Sequence, residues 1–245
     1  KMTTNSYALY SEVGRFPLYI ERHVRVAKYF LKSFHIKSGN CILNTLLKCQ
    51  YNPVNPKEQH TNWAKQVRDM LHDSGFSDVW YFPESVNETM FIPLLRQRLP
   101  DIYITHWHTG LNTCTSMRLY KQMQTTIDRA TYHDILETPK YRKVISQMRL
   151  SSHKLAIETG RHNKISLNDR KCTHCTFNDI EDEFYFVLIC PFYSNIRNLY
   201  IQSYFRNHPS VYKFISLLNT DKHQLLIKLA TYCIKANDVR NQNNV

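Results

Sequence analysis

The sequence predicts an all-α protein, an irregular array of helices followed by a small helical module that contains clustered cysteines. Glycine accounts for only 5 of the 245 residues, and no regular series of short strands and turns is visible, which disfavours a sandwich or barrel. Apolar residues make up 42% of the chain, enough to form a core. They recur at spacings of three and four residues, the period of a helix face.

The first two predicted helices flank Gly14. Thr3 or Thr4 is expected to cap a short helix that stops at Gly14, and Pro17 suits the first turn of the next helix. That helix carries one apolar stripe, formed by Ile20, Val24, Ala27, Leu31 and Phe34. Four basic residues fall mostly away from the stripe: Arg22, Arg25, Lys28 and Lys32. We expect the stripe to face a core and the basic side to be free for phosphate.

The same apolar spacing predicts further helices along the rest of the chain. They span Ile42–Leu47, Asn62–Leu71, Ser85–Trp107, Ser116–Thr131, Pro139–Thr159, Asp179–Ile189, Pro191–Leu199 and Asp221–Val239, and a proline-containing loop covers Tyr51–Pro56. Pro93 and Pro100 are expected to start or kink segments, and Gly160 to end the helix that Pro139 opens. A boundary near 136–140 divides the chain into a helical array, 1–138, and a second domain, 139–245, which comprises a basic helix, the cysteine cluster and closing helices.

The net charge of +12 is concentrated in two windows. Residues 15–37 contain six Lys or Arg against one acid, and residues 140–171 contain nine against two. Clustered positive charge favours binding to a polyanion, because each neutralised phosphate releases counterions. Two solvated helix faces or an acidic membrane surface remain alternatives. The longest apolar run, 184–190, is far too short to span a bilayer, so we expect no membrane partner.

Cysteine spacing indicates a metal site rather than disulfides. Seven cysteines are an odd number without the dense spacing of a secreted scaffold, so we expect reduced thiols and a nuclear or cytoplasmic location. Cys172 and Cys175 form a CxxC pair, and Cys190 follows fourteen residues later, before Pro191. Zinc prefers four sulfur or nitrogen ligands, which makes these three thiols candidate ligands. The acidic group at 179–183 suits the first turn of a helix that ends near 189, where Pro191 is expected to push Cys190 out of the α region.

Five segments stand out in the sequence: LYSEVGRFPL (9–18), RLSSHKLAIETGR (149–161), RKCTHC (170–175), IEDEFYF (180–186) and CPFY (190–193). They resemble the region downstream of the polymerase in LINE-like (non-LTR) retrotransposon reverse transcriptases. The order and spacing of the last four make this resemblance fairly specific. It implies a degenerate CCHC zinc-binding motif, because Tyr185 stands where the family has histidine. A neutral tyrosine is a poor zinc ligand, so His174, His162, Cys233 or water would have to substitute, or the site is a metal-free remnant.

We interpret the chain as a nucleic-acid-binding accessory region that grips template RNA or target DNA without sequence specificity. The expected phosphate-binding residues lie in the second basic window: Arg142, Lys143, Arg149, His153, Lys154 and Arg161. Zinc is the expected cofactor, bound by Cys172, Cys175 and Cys190. The expected partners are RNA or DNA and the polymerase domain of the same polyprotein, since the chain begins with Lys1 as a piece of a longer protein would.

No catalytic activity is predicted for the chain itself. It lacks the clustered aspartates that two-metal nucleotidyl transfer needs, and it contains no phosphate-binding P-loop or nucleophile-elbow motif. The alternative to nucleic-acid binding is a helical protein-interaction or structural domain, or a non-functional transposon relic. That alternative predicts neither a metal nor salt-dependent affinity for nucleic acid.

Overall fold

The computed structural model is built from helices, which confirms the predicted fold class. It describes residues 5–35, 42 and 62–242. Within these ranges, β structure is confined to two isolated antiparallel bridges, Val13–Arg129 and Lys171–Ile180. Among the described helices, none combines the length and apolar character needed to cross a bilayer. The helix expected from Ile42 and the proline loop at 51–56 fall outside the described residues, apart from Ile42 itself.

The contacts divide the chain into two compact units. One unit is Phe16–His108, and the other combines Lys1–Arg15 with Thr109–Val245. This division differs from the sequence-based boundary between 138 and 139, because the first helix and the segment after 109 pack with the C-terminal part. For example, the hydroxyl of Tyr120 lies 2.7 Å from Oγ of Ser11.

The unit Phe16–His108 is organised around the predicted amphipathic helix. Its helices are α2 (Leu18–His35), α3 (Asn62–Asp73), α4 (Ser77–Tyr81) and α5 (Glu88–Thr113), of which α5 continues into the other unit. The predicted apolar stripe of α2 is buried, as expected. Phe30 extends that stripe and stacks on the Trp80 ring at 5.5 Å between centroids. The four basic residues of α2 named above are exposed.

The second unit is a set of shorter helices around one long C-terminal helix. Its helices are α1 (Ser6–Glu12), α6 (Tyr120–Met123), α7 (Tyr132–Ile135), α8 (Pro139–Arg149), α9 (Ala156–His162), a π-helix (Tyr185–Ile189), α10 (Ser194–Tyr200), α11 (Ser203–Arg206), α12 (Val211–Leu218) and α13 (His223–Gln242). Short 3₁₀ turns cover Leu167–Asp169 and Pro191–Tyr193. The helix α13 packs against both α8 and α10. Its buried Leu226, Leu229 and Cys233 place the core of this unit along its length.

Of three local predictions at helix ends and prolines, the structure confirms that for Gly14 and modifies the other two. The side chain of Asn5 caps α1 by accepting a hydrogen bond from the Tyr7 amide, whereas Thr3 and Thr4 lie outside the described residues. Gly14 follows α1 in the left-handed region at φ 63°, as expected for the residue after a helix. Pro93 and Pro100 both lie inside α5, which continues through them.

Two long helices predicted from apolar spacing are interrupted. In the segment 116–131 only α6 is α-helical, between a positive φ at Met117 and an extended Gln124. The helix from Pro139 ends at Arg149, since Ser151 takes a positive φ of 48°. Gly160 does not end a helix. It lies within α9, where a Cβ atom would approach Cγ of Arg170 to 2.6 Å.

Candidate metal centre and its surroundings

The CxxC pair lies in a short loop that folds back on itself. The amide of Cys172 donates to the Asp179 carbonyl at 2.9 Å, and the amide of Glu181 donates to the Arg170 carbonyl at 3.0 Å. These two bonds flank the Lys171–Ile180 bridge. They close the loop and fix the direction in which its thiols point.

The third cysteine is supplied by the segment that follows the acidic group. Asp182 accepts the Tyr185 amide at 2.8 Å and so begins the predicted helix. The helix ends in a π-turn, in which the Cys190 amide donates to the Tyr185 carbonyl at 2.8 Å. Cys190 then leaves the α region before Pro191, as the sequence predicts. The π-turn therefore carries a site residue at each end, consistent with the frequent occurrence of such turns at functional sites.

The three predicted sulfurs are brought together. The Sγ atoms of Cys172, Cys175 and Cys190 all lie within 4.8 Å of one another, and those of Cys172 and Cys190 are 3.9 Å apart. Cys172 and Cys190 are buried, while Cys175 is half-buried. No other His, Cys or carboxylate group in the described residues joins this group. The arrangement could hold a metal ion.

Tyr185 lies next to one of the three sulfurs. Its hydroxyl lies 2.9 Å from Sγ of Cys175, and the side chain is buried. Burial, the hydrogen bond with Cys175 and the charge of the surrounding thiolates raise the pKa of Tyr185 far above its usual value. The phenol is therefore neutral and suited to donate a hydrogen bond to a thiolate rather than to coordinate an ion.

The substitutes considered from the sequence are not in the sulfur group. Cys233 is fully buried in α13, and His162 is exposed at the end of α9. His174 stacks on the Phe192 ring at 5.2 Å between centroids. Its buried Nε2 has no hydrogen-bond partner among the described residues. Among the described residues, none of these three side chains therefore lies close enough to the sulfurs to act as a fourth ligand.

Hydrogen bonds between the thiols give them different acidities. The hydrogen bond to Cys190, followed by burial, raises the pKa of Cys172. That same bond lowers the pKa of Cys190, against the effect of burial. A cation between the sulfurs would favour the deprotonated form of all three, because metals bind thiolates rather than thiols.

The acidic group beside the cysteines serves mainly to connect elements. Oε2 of Glu181 accepts the amide of Ala156 at 2.7 Å, at the start of α9. The same carboxylate forms an ion pair with Arg240 of α13, and both side chains are largely buried. The loop, α9 and α13 are thus joined at one residue.

Glu183 connects the same region to the turn after α8. It accepts hydrogen bonds from Oγ of Ser151 and Nε2 of His153, each at 2.8 Å. Burial opposes ionisation of Glu183, but attraction to His153 and these hydrogen bonds outweigh it and lower the pKa. His153, predicted to contact phosphate, is buried and engaged here. Its predicted role is therefore corrected to a structural one.

Arg149 is likewise an internal anchor rather than a phosphate ligand. Only 2% of the residue is exposed. Its Nε donates to Oε1 of Glu12 at 2.6 Å, and its guanidinium also bonds the Asn219 side chain and the Leu218 carbonyl. It lies 5.6 Å from the centre of the Tyr132 ring. The predicted phosphate contact is corrected because these partners occupy the whole group.

The other predicted cations differ in their availability. Arg161 donates two hydrogen bonds to the buried Glu158, at 2.7 and 2.9 Å, and its side chain is 28% exposed. Lys143 and Lys154 are exposed and Arg142 is half-buried, and none of these three forms an ion pair with a described acid within 4.0 Å. Three further lysines of the same window are exposed: Lys140, Lys164 and Lys171.

Sequence reasoning missed the acids that pair with the two buried side chains, Arg149 and His153. Glu12 lies 137 residues before Arg149, and Glu183 lies 30 residues after His153. The only available signal was that each acid stands in a segment that carries the resemblance, Glu12 in 9–18 and Glu183 in 180–186. Comparison with known proteins adds no identification, since no family model, no curated protein and no solved structure matches the chain.

Proposed function

We propose that the chain is a metal-stabilised helical region that binds RNA or DNA without sequence specificity. We further propose that it corresponds to the region downstream of the polymerase in a non-LTR retrotransposon reverse transcriptase. The supporting observation is that the sulfurs of Cys172, Cys175 and Cys190, the three cysteines that the resemblance implies as ligands, lie close together. Exposed lysines of the second basic window lie in the sequence on both sides of α9 and beside Cys172.

Zinc is the ion that best fits the sulfur group. Soft thiolates select zinc or monovalent copper among biological cations. Zn–S bonds of about 2.3 Å in a tetrahedron separate two sulfurs by about 3.8 Å, close to the 3.9 Å between Cys172 and Cys190. When bound, zinc would hold the loop and the end of the π-helix together. With Tyr185 neutral, water would complete the coordination.

The nucleic acid would be held by those cations of the second basic window that form no ion pair with a described acid. These are Lys140, Arg142, Lys143, Lys154, Lys164 and Lys171. Lys140 and Lys143 are three residues apart, so they lie on the same side of α8. Each cation that neutralises a phosphate adds to the salt dependence of binding. Arg149 and His153 shape the surface indirectly, by fixing the end of α8 and the turn after it.

The biological setting follows from the resemblance. An intact relative would position template RNA or target DNA for the polymerase of the same polypeptide, in the nucleus or cytoplasm. The chain itself would supply binding rather than nucleotidyl transfer. Repeated contact with phosphate, without base readout, gives the non-specific binding that this role needs.

A salt titration of binding to single-stranded RNA tests the proposal. We expect the K140Q/R142Q/K143Q/K154Q variant to bind more weakly and to lower the slope of log K against log salt by about 3, at about 0.7 per phosphate. The matched control is K222Q/K228Q/K235Q, which removes exposed lysines at and near α13 in the same unit. Equal salt slopes for the first variant and the wild-type chain would contradict the proposal.

A structural or protein-interaction role, in a relic that has lost its metal, is the second candidate. The presence of Tyr185 at the fourth ligand position favours it. It predicts a metal-free chain and no salt-dependent affinity for either RNA or DNA. Metal analysis of the purified chain, together with the titration above, separates the two candidates.

A further inference from the structure

The solvent side of α2 carries a row of cations. Arg22, Arg25, Lys28 and Lys32 are all exposed. Successive members are three or four residues apart, so they share one side of the helix. At a rise of about 1.5 Å per residue the row is about 15 Å long. We call these four residues the α2 row.

Within the part of the chain that the structure describes, acidic residues neutralise this row only weakly. Glu21 is the single acid within α2, and its carboxylate lies 3.5 Å from Nε of Arg25 and 3.7 Å from the Arg96 guanidinium. The Glu21 side chain is 50% exposed, and those of Arg25 and Arg96 are 78% and 56% exposed. Exposed pairs of this kind contribute little and are screened by salt. The row therefore keeps a net positive charge that salt can screen.

Aromatic side chains adjoin the α2 row. A groove of about 430 Å³ is lined by Leu18, Glu21, Arg22, Arg25, Val26, Tyr29 and Trp63. Tyr29 is 48% exposed and stands in the helix between Lys28 and Lys32, on the same side as the cations. Its ring meets that of Trp63 at 5.9 Å and 81°, edge to face. An edge-to-face pair uses one ring face at most, and Tyr29 stays half-exposed beside the cations.

We propose that this groove binds single-stranded RNA or DNA, with a base stacked on Tyr29 or Trp63 and the flanking phosphates on the α2 row. Stacking on aromatic side chains beside a basic track is how proteins hold single strands without reading their sequence. A duplex keeps its bases stacked on one another and offers no base face to Tyr29. The proposal rests on the proposed function only in requiring that the chain binds nucleic acid, and it adds a site on residues of a different unit.

Trp63 gives a direct readout of the groove. The chain has three tryptophans, and the other two, Trp80 and Trp107, are each 1% exposed. We expect a single-stranded oligonucleotide of uridines to quench the emission of Trp63, and the W63F variant to lose that quenching. A duplex of the same length should quench much less.

Substitutions at Tyr29 separate stacking from charge. We expect Y29L to weaken binding of the oligonucleotide by about tenfold, within the range known for loss of one stacked base, and Y29F to bind like the wild-type chain. The R22Q/R25Q/K28Q/K32Q variant should lower the salt slope by about 2 to 3. The K222Q/K228Q/K235Q variant is again the control, and circular dichroism checks that each variant is folded.

The outcomes distinguish this proposal from the proposed function. If the wild-type chain binds no nucleic acid, both fail. A second outcome overturns only the proposal for the groove. In it the wild-type chain binds, the Lys140 to Lys154 substitutions weaken binding, and the substitutions in the α2 row leave the affinity unchanged. Tighter binding to acidic phospholipid vesicles than to the oligonucleotide, weakened equally by Y29L, would assign the groove to a membrane surface. If Y29L fails to fold, an unchanged emission of Trp63 on addition of oligonucleotide decides against the groove.

Discussion

The basic residues of the two positively charged regions differ in exposure and in ion pairing. On α2 the four cations of the row stay exposed and the local acid is exposed with them. Between 140 and 171 the cations divide, because Arg149 is buried with Glu12 and Arg161 is bound to the buried Glu158. In the window with more basic residues, part of the positive charge is therefore neutralised by acids inside the protein. Charge counts along a sequence overestimate the binding surface wherever distant acids can reach the cations.

The difference follows from helix geometry. On α2 the cations avoid the apolar stripe, so folding leaves them in water. Arg149 belongs to the buried side of α8, together with Ile145 and Met148. A charge in that position must find a partner, since an unpaired buried charge costs several kcal/mol. Glu12 and the Asn219 side chain provide that partner.

Replacing Arg149 tests the comparison most strongly. We expect R149A to lower the free energy of unfolding by about 3 to 5 kcal/mol, because it leaves the carboxylate of Glu12 buried and unpaired. Urea denaturation followed by circular dichroism measures the change. The matched control is R25A on α2, which should leave the midpoint almost unchanged, since its ion pair is exposed. A similar small effect of both substitutions would contradict the difference between the two regions.

The carboxylate of Glu183 should make the second unit sensitive to acid. Because its pKa is lowered on folding, its contribution is complete above the usual glutamate value of about 4.3 and is lost as the pH falls below it. We expect E183Q to cost about 2 kcal/mol near neutral pH, by weakening the bonds with Ser151 and His153. The difference from the wild-type chain should shrink towards pH 3.

Unfolding curves at several pH values measure this effect. E84Q, at an exposed glutamate, is the control and should leave the pH dependence unchanged. A constant difference between E183Q and the wild-type chain across the acid range would show that Glu183 contributes by packing alone.

The sequence was sufficient for patterns that depend on neighbouring residues. The stripe of α2, the residue after α1 at Gly14 and the turn at Cys190 were all predicted correctly. Each depends on helix period or on the conformational limits of glycine and proline. The convergence of the three cysteines was predicted as well, but through the spacing of a known motif together with metal chemistry.

Features set by distant partners could not be predicted in this way. The turn that follows Arg149 is hydrogen-bonded to Glu183, and Gly160 lies inside α9 with the Arg170 side chain close beside it. The spacing of apolar residues along the sequence carries no information on such contacts. For the same reason, Arg149 and His153 were assigned to the surface when they belong to the interior.

Replacing Tyr185 by histidine sharpens the comparison in the second unit, with a smaller expected effect. That unit already joins its loop, α9 and α13 through Glu181, so a metal adds to an existing connection. We expect Y185H to raise the affinity for zinc by about tenfold or more, since it supplies the fourth ligand that tetrahedral zinc prefers. Competition with a chromophoric chelator measures the affinity, and cobalt(II) absorption reports the change to four protein ligands.

Y185F is the control, because it removes the hydroxyl beside Cys175 without offering a ligand. Tighter binding to the wild-type chain than to Y185F by a similar factor, accompanied by tyrosinate absorption, would show instead that Tyr185 itself coordinates the ion.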